Sequence, residues 1–175
     1  MLPDAPLTDG TVCLRRWRPD EADWYVGRSR DPEIQRWTSE PPDLTATAVR
    51  AAIEELAGTR AHAGLVITDA VTGELLGNAG LAPAAERGTG KIAYWVAAEA
   101  RGRGVAARAV RLLTAWAWQC GLDRVELWAH VDNVASQRVA ERAGFRRVRV
   151  ERAGQVVKGE TWDVVWYALD RPDAR

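Results

Sequence analysis

From Val105 to Cys120 the apolar residues Val105, Ala109, Leu112, Leu113, Trp116 and Cys120 recur at three- and four-residue spacing, and Gly121 ends the pattern where a C-terminal cap belongs. A helix of this length must lay one face on something. What precedes it supplies the surface: "AGLVITDA", "GELLGNAGLAP" and "GKIAYWVAAEA" are three strand-like runs, the first two joined by the turn "AVTG", with Gly88 and Gly90 marking the break before the third. Turns this short join antiparallel neighbours. The chain is therefore held to a helix packed on a mostly antiparallel sheet.

The flanks extend that plan. "TVCLRRW" alternates as an edge or half-buried strand does, and "RPDEADWYVGRSR" follows as a helix with Asp20 placed to cap it. "DPEIQRW" reads as a short helix broken by Pro41 and Pro42, and "LTATAVRAAIEELAGTR" carries Leu44, Ala48, Ala52 and Leu56 at helical spacing. After the long helix come the strand "DRVELWAHV", a helix in "NVASQRVAERAG" opened by Asn133 or Ser136 and closed by Gly144, and two strands, "FRRVRVERA" and "ETWDVVWYAL". The predicted fold is α/β (α+β): a mixed, mostly antiparallel sheet flanked by helices.

With 175 residues, 47% of them hydrophobic, the chain can bury one core, so a single domain over residues 1–175 is expected. Lys and Arg together number 24, as do Asp and Glu. That balance gives no overall field to draw the protein to nucleic acid or an anionic membrane, and any anion site must be local. Cys13 and Cys120 stand far apart without ligand-like neighbours, so two buried thiols are expected, with no disulfide framework and no metal. The N-terminus lacks a basic segment followed by an apolar one, and no apolar run reaches the roughly 20 residues that span a bilayer, so a soluble, cytoplasmic protein is expected.

The long helix is entered through "RGRGVAARAVRL". A glycine turn that opens a helix exposes unpaired backbone N–H groups at the positive end of the helix dipole, which suits phosphate or pyrophosphate. Glycine lets the backbone approach the oxygens, and Arg101, Arg103 and Arg108 add positive charge. Two readings remain open on the residues alone. Glycine pairs before helices also serve as plain turns, and Gly102, Gly104 and Ala107, with Glu126 further on, fit the spacing of dinucleotide-binding folds. Against the latter, "AAEA" separates the turn from its strand, antiparallel strands come first, and Glu126 lies within a strand body.

Arg101, Gly104 and Ala106 match the Arg/Gln-x-x-Gly-x-Gly/Ala pattern of the GNAT N-acyltransferases, and the chain resembles that family along nearly its whole length. "LRRWRPDEAD", "IAYWVAAEARGRGVAARAVRLL", "LDRVELWAHVDNVASQRVAERAGF" and "WDVVWYAL" follow in the order of its RimJ/RimL-like, ribosomal-protein N-terminal acetyltransferase branch. The resemblance implies that the strand of Tyr94 to Val96 diverges from the strand around Leu127 to Ala129, leaving a wedge for the pantetheine arm of acetyl-CoA. It also implies that Val96 and Ala98 pair with the pantetheine amides and that Arg101, Gly102, Arg103, Gly104, Val105 and Ala106 hold the pyrophosphate. Asn133 and Ser136 match the family's Asn-x-x-Ser, the asparagine contacting the cofactor and the serine being the candidate general acid for the departing thiolate; both are also ordinary helix caps.

The activity so implied is acetyl transfer from acetyl-CoA, without metal, directly to a primary amine, either a small molecule or a protein N-terminus. A homodimer is compatible with it. No base declares itself among Glu99, His130, Glu151, Glu160 and Asp163. A non-catalytic acyl-CoA-binding or sensing module and an NAD(P)-dependent oxidoreductase are the competing functions.

Overall fold

The computed structural model describes residues 2–58 and 63–172. The expected domain limits at residues 1 and 175, and the expected helix tail at Thr59 and Arg60, lie outside the described residues. In chain order the elements are β1 (Leu7–Thr8), β2 (Val12–Arg16), α1 (Ala22–Ser29), α2 (Pro32–Trp37), α3 (Ala46–Gly58), β3 (Ala63–Asp69), β4 (Leu75–Pro83), β5 (Thr89–Val96), α4 (Val105–Gln119), β6 (Arg124–His130), α5 (Val134–Arg142), β7 (Arg146–Val157) and β8 (Glu160–Asp170). Short 3-10 helices cover Pro19–Glu21 and Ala98–Ala100. The strands form one sheet in the order β1-β2-β3-β4-β5-β6-β8-β7, antiparallel throughout except where β5 runs parallel to β6.

One face of the sheet carries α4 and α5. Leu14, Leu65, Ile67, Leu81, Ile92, Leu127 and Tyr167 pack there against Val105, Ala109, Val110, Leu113 and Ala117 of α4. Fully burying one such leucine is worth about 1.5–3 kcal/mol, so this face accounts for much of the stability. The other face carries α1 to α3 and is aromatic. Trp95 stacks on Trp24 at 6.1 Å and meets Tyr25 edge-on, while Trp37 of α2 reaches over to His130 and Trp162.

Five local expectations need correction. Asp20 does not cap α1; it is exposed within the 3-10 turn, and Glu21 turns inward instead, accepting the Arg18 N–H and a two-pronged ion pair from Arg15. In α3 Val49 is buried, with Ala46 and Ile53 packed half-buried beside it, while Ala48 and Ala52 are exposed; Val49 and Ile53 have more apolar area to bury than an alanine. Cys13 and Cys120 are free but half-exposed, the first on the opposite side of β2 from Val12 and Leu14 and the second at the surface end of α4. "AAEA" belongs to a 3-10 turn, and Gly90 lies inside β5.

Candidate active site at the parting of β5 and β6

The parallel pair β5–β6 is short. Thr89, Gly90 and Lys91 lie beside Arg124, Val125 and Glu126, and pairing then stops, although both strands continue, to Val96 and His130. The main chain left over points into the gap. Ala97 N–H donates to Leu76 on β4, and because an antiparallel strand addresses its two neighbours with alternate residues, Tyr94 and Val96 direct their N–H and C=O groups toward β6. Val131 N–H donates to Asp163 O on β8, so by the same alternation Trp128 and His130 face back toward β5. Two strand edges thus confront each other without bonding, which is a ready seat for an extended, amide-bearing ligand.

At the end of this gap the chain makes the turn Arg101 to Gly104 and enters α4. Gly102 and Gly104 have φ of 73° and 75°. A Cβ at either would meet nothing within 4 Å, so the left-handed backbone, not crowding, is what calls for glycine. The first backbone bond of the helix is Arg108 N–H to Gly104 O at 3.2 Å. The N–H groups of Gly102 to Ala107 find no acceptor among the described residues, which is the geometry of an anion site at a helix N-terminus.

A cavity of about 800 Å³ joins the gap to the turn. Its walls include Tyr94 and Val96 from β5, Arg101, Gly102, Gly104, Val105 and Ala106 from the turn and α4, and Asn133 and Ser136 from α5. Of the residues expected at the site, Ala98 and Arg103 do not line it. Asn133 is the N-cap of α5, its Oδ1 accepting the Ser136 N–H at 3.0 Å. The arginines are less free than their number suggests: Arg101 is paired with Asp31, the N-cap of α2, at 2.5 Å, and Arg108 with Asp9 at 2.7 Å.

Residues 11–146 match the acetyltransferase (GNAT) domain model. The chain belongs to this family. YdaF of Bacillus subtilis, provisionally named a ribosomal N-acetyltransferase, is 39% identical over 80 residues, which span 45% of this chain and 44% of that protein, so the match covers less than half the length of the curated relative. Among solved structures, RimJ of Mycobacterium smegmatis in complex with CoA-disulfide superposes with a TM-score of 0.82 at 22% identity, over 97% of this chain and 88% of that one. The ribosomal-protein-S5-alanine acetyltransferase of Vibrio fischeri gives 0.85 at 17%, over 98% and 100%. These structures share the GNAT fold. The dinucleotide reading lapses with this: the glycine turn leaves a 3-10 helix rather than a strand, and Glu126 is bonded to Arg124 at 2.9 Å.

Two features of the GNAT chain carry no local signal in the sequence. The Tyr94 hydroxyl lies 2.8 Å from Ser136 Oγ, across 42 residues of chain, and burial pushes its pKa up to about 12 against the opposing effect of that bond. On the aromatic face the cavity is walled by Trp37, Trp95, Trp128 and His130 and carries the carboxylates of Glu33 and Glu40. The bases considered from sequence lie elsewhere or are engaged. Glu99 is paired with Arg28 at 2.7 Å, Glu151 accepts the Trp166 indole N–H at 2.6 Å, Asp163 accepts the Ala153 N–H at 2.8 Å, and Glu160 is exposed; none of the four lines the cavity.

Proposed function

We propose that the protein transfers the acetyl group of acetyl-CoA directly to a primary amine. The observation that carries this reading is the continuity of one cavity from the unbonded edges of β5 and β6 to the free N–H groups of Gly102 to Ala107. The pyrophosphate rests on the turn from Arg101 to Ala106, with Gly102, Arg103, Gly104 and Val105 supplying backbone and charge. The pantetheine amides pair with Val96 and, just beyond the strand, Ala98, as an added strand would. Asn133, already ordered as a cap, borders the acyl end. Arg103, which has no ion pair among the described residues, is the turn arginine left to meet phosphate from the solvent side.

Acyl transfer needs a neutral amine, a polarised carbonyl and a proton for the departing thiolate. Ser136, backed by the Tyr94 hydroxyl, provides that proton. Much of the acceleration comes from holding amine and thioester together, so no strong base is required. The ribosomal-protein names of the relatives make peptide N-termini natural acceptors to try beside small amines. The setting is the cytoplasm; among the described residues no helix is long and apolar enough to cross a membrane.

The test has two parts. Acetyl-CoA at a hundredfold over its Kd should stabilise the fold by about 2.7 kcal/mol in thermal melting. Free-thiol release should then be followed with benzylamine, spermidine and hexapeptides beginning with Ser, Ala or Met. Absence of a melting shift at millimolar acetyl-CoA refutes the binding site; a shift without turnover of any amine refutes the transferase and leaves an acyl-CoA-binding module.

A further inference from the structure

The geometry points to Glu40 as the group that receives the acceptor as its ammonium ion and takes its proton. This rests on the transferase reading above. Three side chains in the acceptor half of the cavity could accept a proton: Glu33, Glu40 and His130. Glu33 is exposed on α2, and its Oε2 accepts the Trp37 indole N–H at 2.9 Å. His130 accepts the Asp132 N–H on Nδ1 at 3.1 Å, which leaves the neutral ring with its proton on Nε2, and its ring is packed between Trp37 and Trp162. A ring so engaged donates rather than accepts.

Glu40 differs in placement. It is half-buried, and one oxygen, Oε1, takes both the Tyr25 hydroxyl at 2.6 Å and the Trp95 indole N–H at 3.0 Å. Oε2 has no partner among the described residues. The backbone is fixed as well: Glu40 N–H donates to Thr38 Oγ1, whose hydroxyl donates to Ile34 O, and Pro41 restricts the residue before it to extended conformations. A carboxylate immobilised in this way, tied to the residue next to Tyr94 on the splayed strand, is preorganised toward the acceptor side of the gap. The indole walls suit the same guest, since a cation is attracted to an aromatic face. Arginines 101, 138 and 142 line the cofactor half, while Glu33 and Glu40 share the aromatic half with Lys91, whose Nζ lies over the Trp166 ring at 5.1 Å.

The protons balance. An ammonium nitrogen brings three: the first passes to Glu40 Oε2 and on to solvent, and the free lone pair forms the bond to the thioester carbon. The C–S bond breaks with its electron pair on sulfur, which takes the Ser136 hydroxyl proton. Ser136 recovers a proton from the adduct nitrogen, and the third stays on the amide product.

Glu40→Gln keeps an oxygen for Tyr25 and Trp95 but cannot accept the proton. With the panel amine that wild type turns over fastest, the variant should retain the acetyl-CoA melting shift and lose about 100-fold in kcat/KM at pH 7. The deficit should shrink as pH rises toward the pKa of the amine itself, because a neutral amine needs no base. Glu40→Asp should recover part of the activity. A Glu40→Gln rate within threefold of wild type, or a deficit equal at every pH, overturns the assignment while leaving the transferase reading intact. Failure of wild type with every amine sinks the transferase reading itself.

Discussion

Tyr94 Oη lies 2.8 Å from Ser136 Oγ, tying the strand that parts from β6 to the first turn of the helix bordering the same gap. With its pKa pushed up to about 12 by burial, Tyr94 keeps its proton across the physiological range. On the proposed transfer reading the pair acts as one donor with Ser136 foremost. Tyr94→Phe preserves the ring but removes the second hydroxyl, and kcat should fall roughly 10-fold with KM for acetyl-CoA little changed. Ser136→Ala should lower kcat further, within the range of 10²–10⁴ that positioned proton donors supply. Steady-state thiol release from both variants is the check; equal rates for Ser136→Ala and wild type would remove the serine from the chemistry.

Gly104 is the N-cap of α4 at φ 75°, with open space where a Cβ would stand. Gly104→Ala adds no clash, only the strain of a left-handed alanine, roughly 1–2 kcal/mol. Melting should show a modest loss of stability without ligand. The acetyl-CoA shift should shrink by more than that, because relieving the strain re-aims the N–H groups that follow. A full ligand shift in the variant would mean that the turn does not hold the anion.

How much of this was legible in the sequence follows from range. The long helix, the strands, the glycine turn and the Asn133 cap are local, and each is set by periodicity or by one residue's conformational preference. The position of β8 between β6 and β7 is not local: pairing of Val125 with Leu169 and Leu127 with Tyr167 spans some forty residues that short-range patterning does not address. The same holds for the site. The glycine turn of "RGRG" and the cap in "NVAS", which both line the cavity, are local in sequence, whereas Glu40 takes its partners from Tyr25 and Trp95, and Arg101 its carboxylate from Asp31. Asp20 failed as a cap for a related reason, since Arg15 on β2 rewards the inward turn of Glu21 instead.

Asp31 sets up a competition for Arg101 at the proposed anion site. Its carboxylate holds Arg101 at 2.5 Å while capping α2 through the N–H groups of Glu33 and Ile34. Burial raises its pKa, but the Arg101 bond and the two amides outweigh that, so it stays ionised at neutral pH. Asp31→Asn keeps a capping oxygen and removes the charge facing the incoming pyrophosphate. Acetyl-CoA should bind a few-fold tighter at low salt, with the gain fading as ionic strength screens the site. Titration calorimetry at two salt concentrations decides this; weaker binding would show that Asp31 orients Arg101 for the ligand rather than competing for it.

Glu21 makes the stability of the fold depend on acid. It is 5% exposed beneath α1, bonded to the Arg15 guanidinium and the Arg18 N–H. Burial alone would raise its pKa, yet these partners more than offset it and hold the carboxyl below its ordinary value of 4.5. A carboxyl depressed on folding stabilises the native state above its unfolded pKa, and that contribution is lost as pH falls through the folded one. Wild type should therefore lose stability progressively below about pH 4.5. Glu21→Gln should be less stable at pH 7 by about 2 kcal/mol, the scale of a hydrogen bond to a charged group, and its stability should fall less steeply in acid. Urea melts from pH 3 to 7 give the comparison; parallel curves for the two proteins would show that another carboxylate governs acid unfolding.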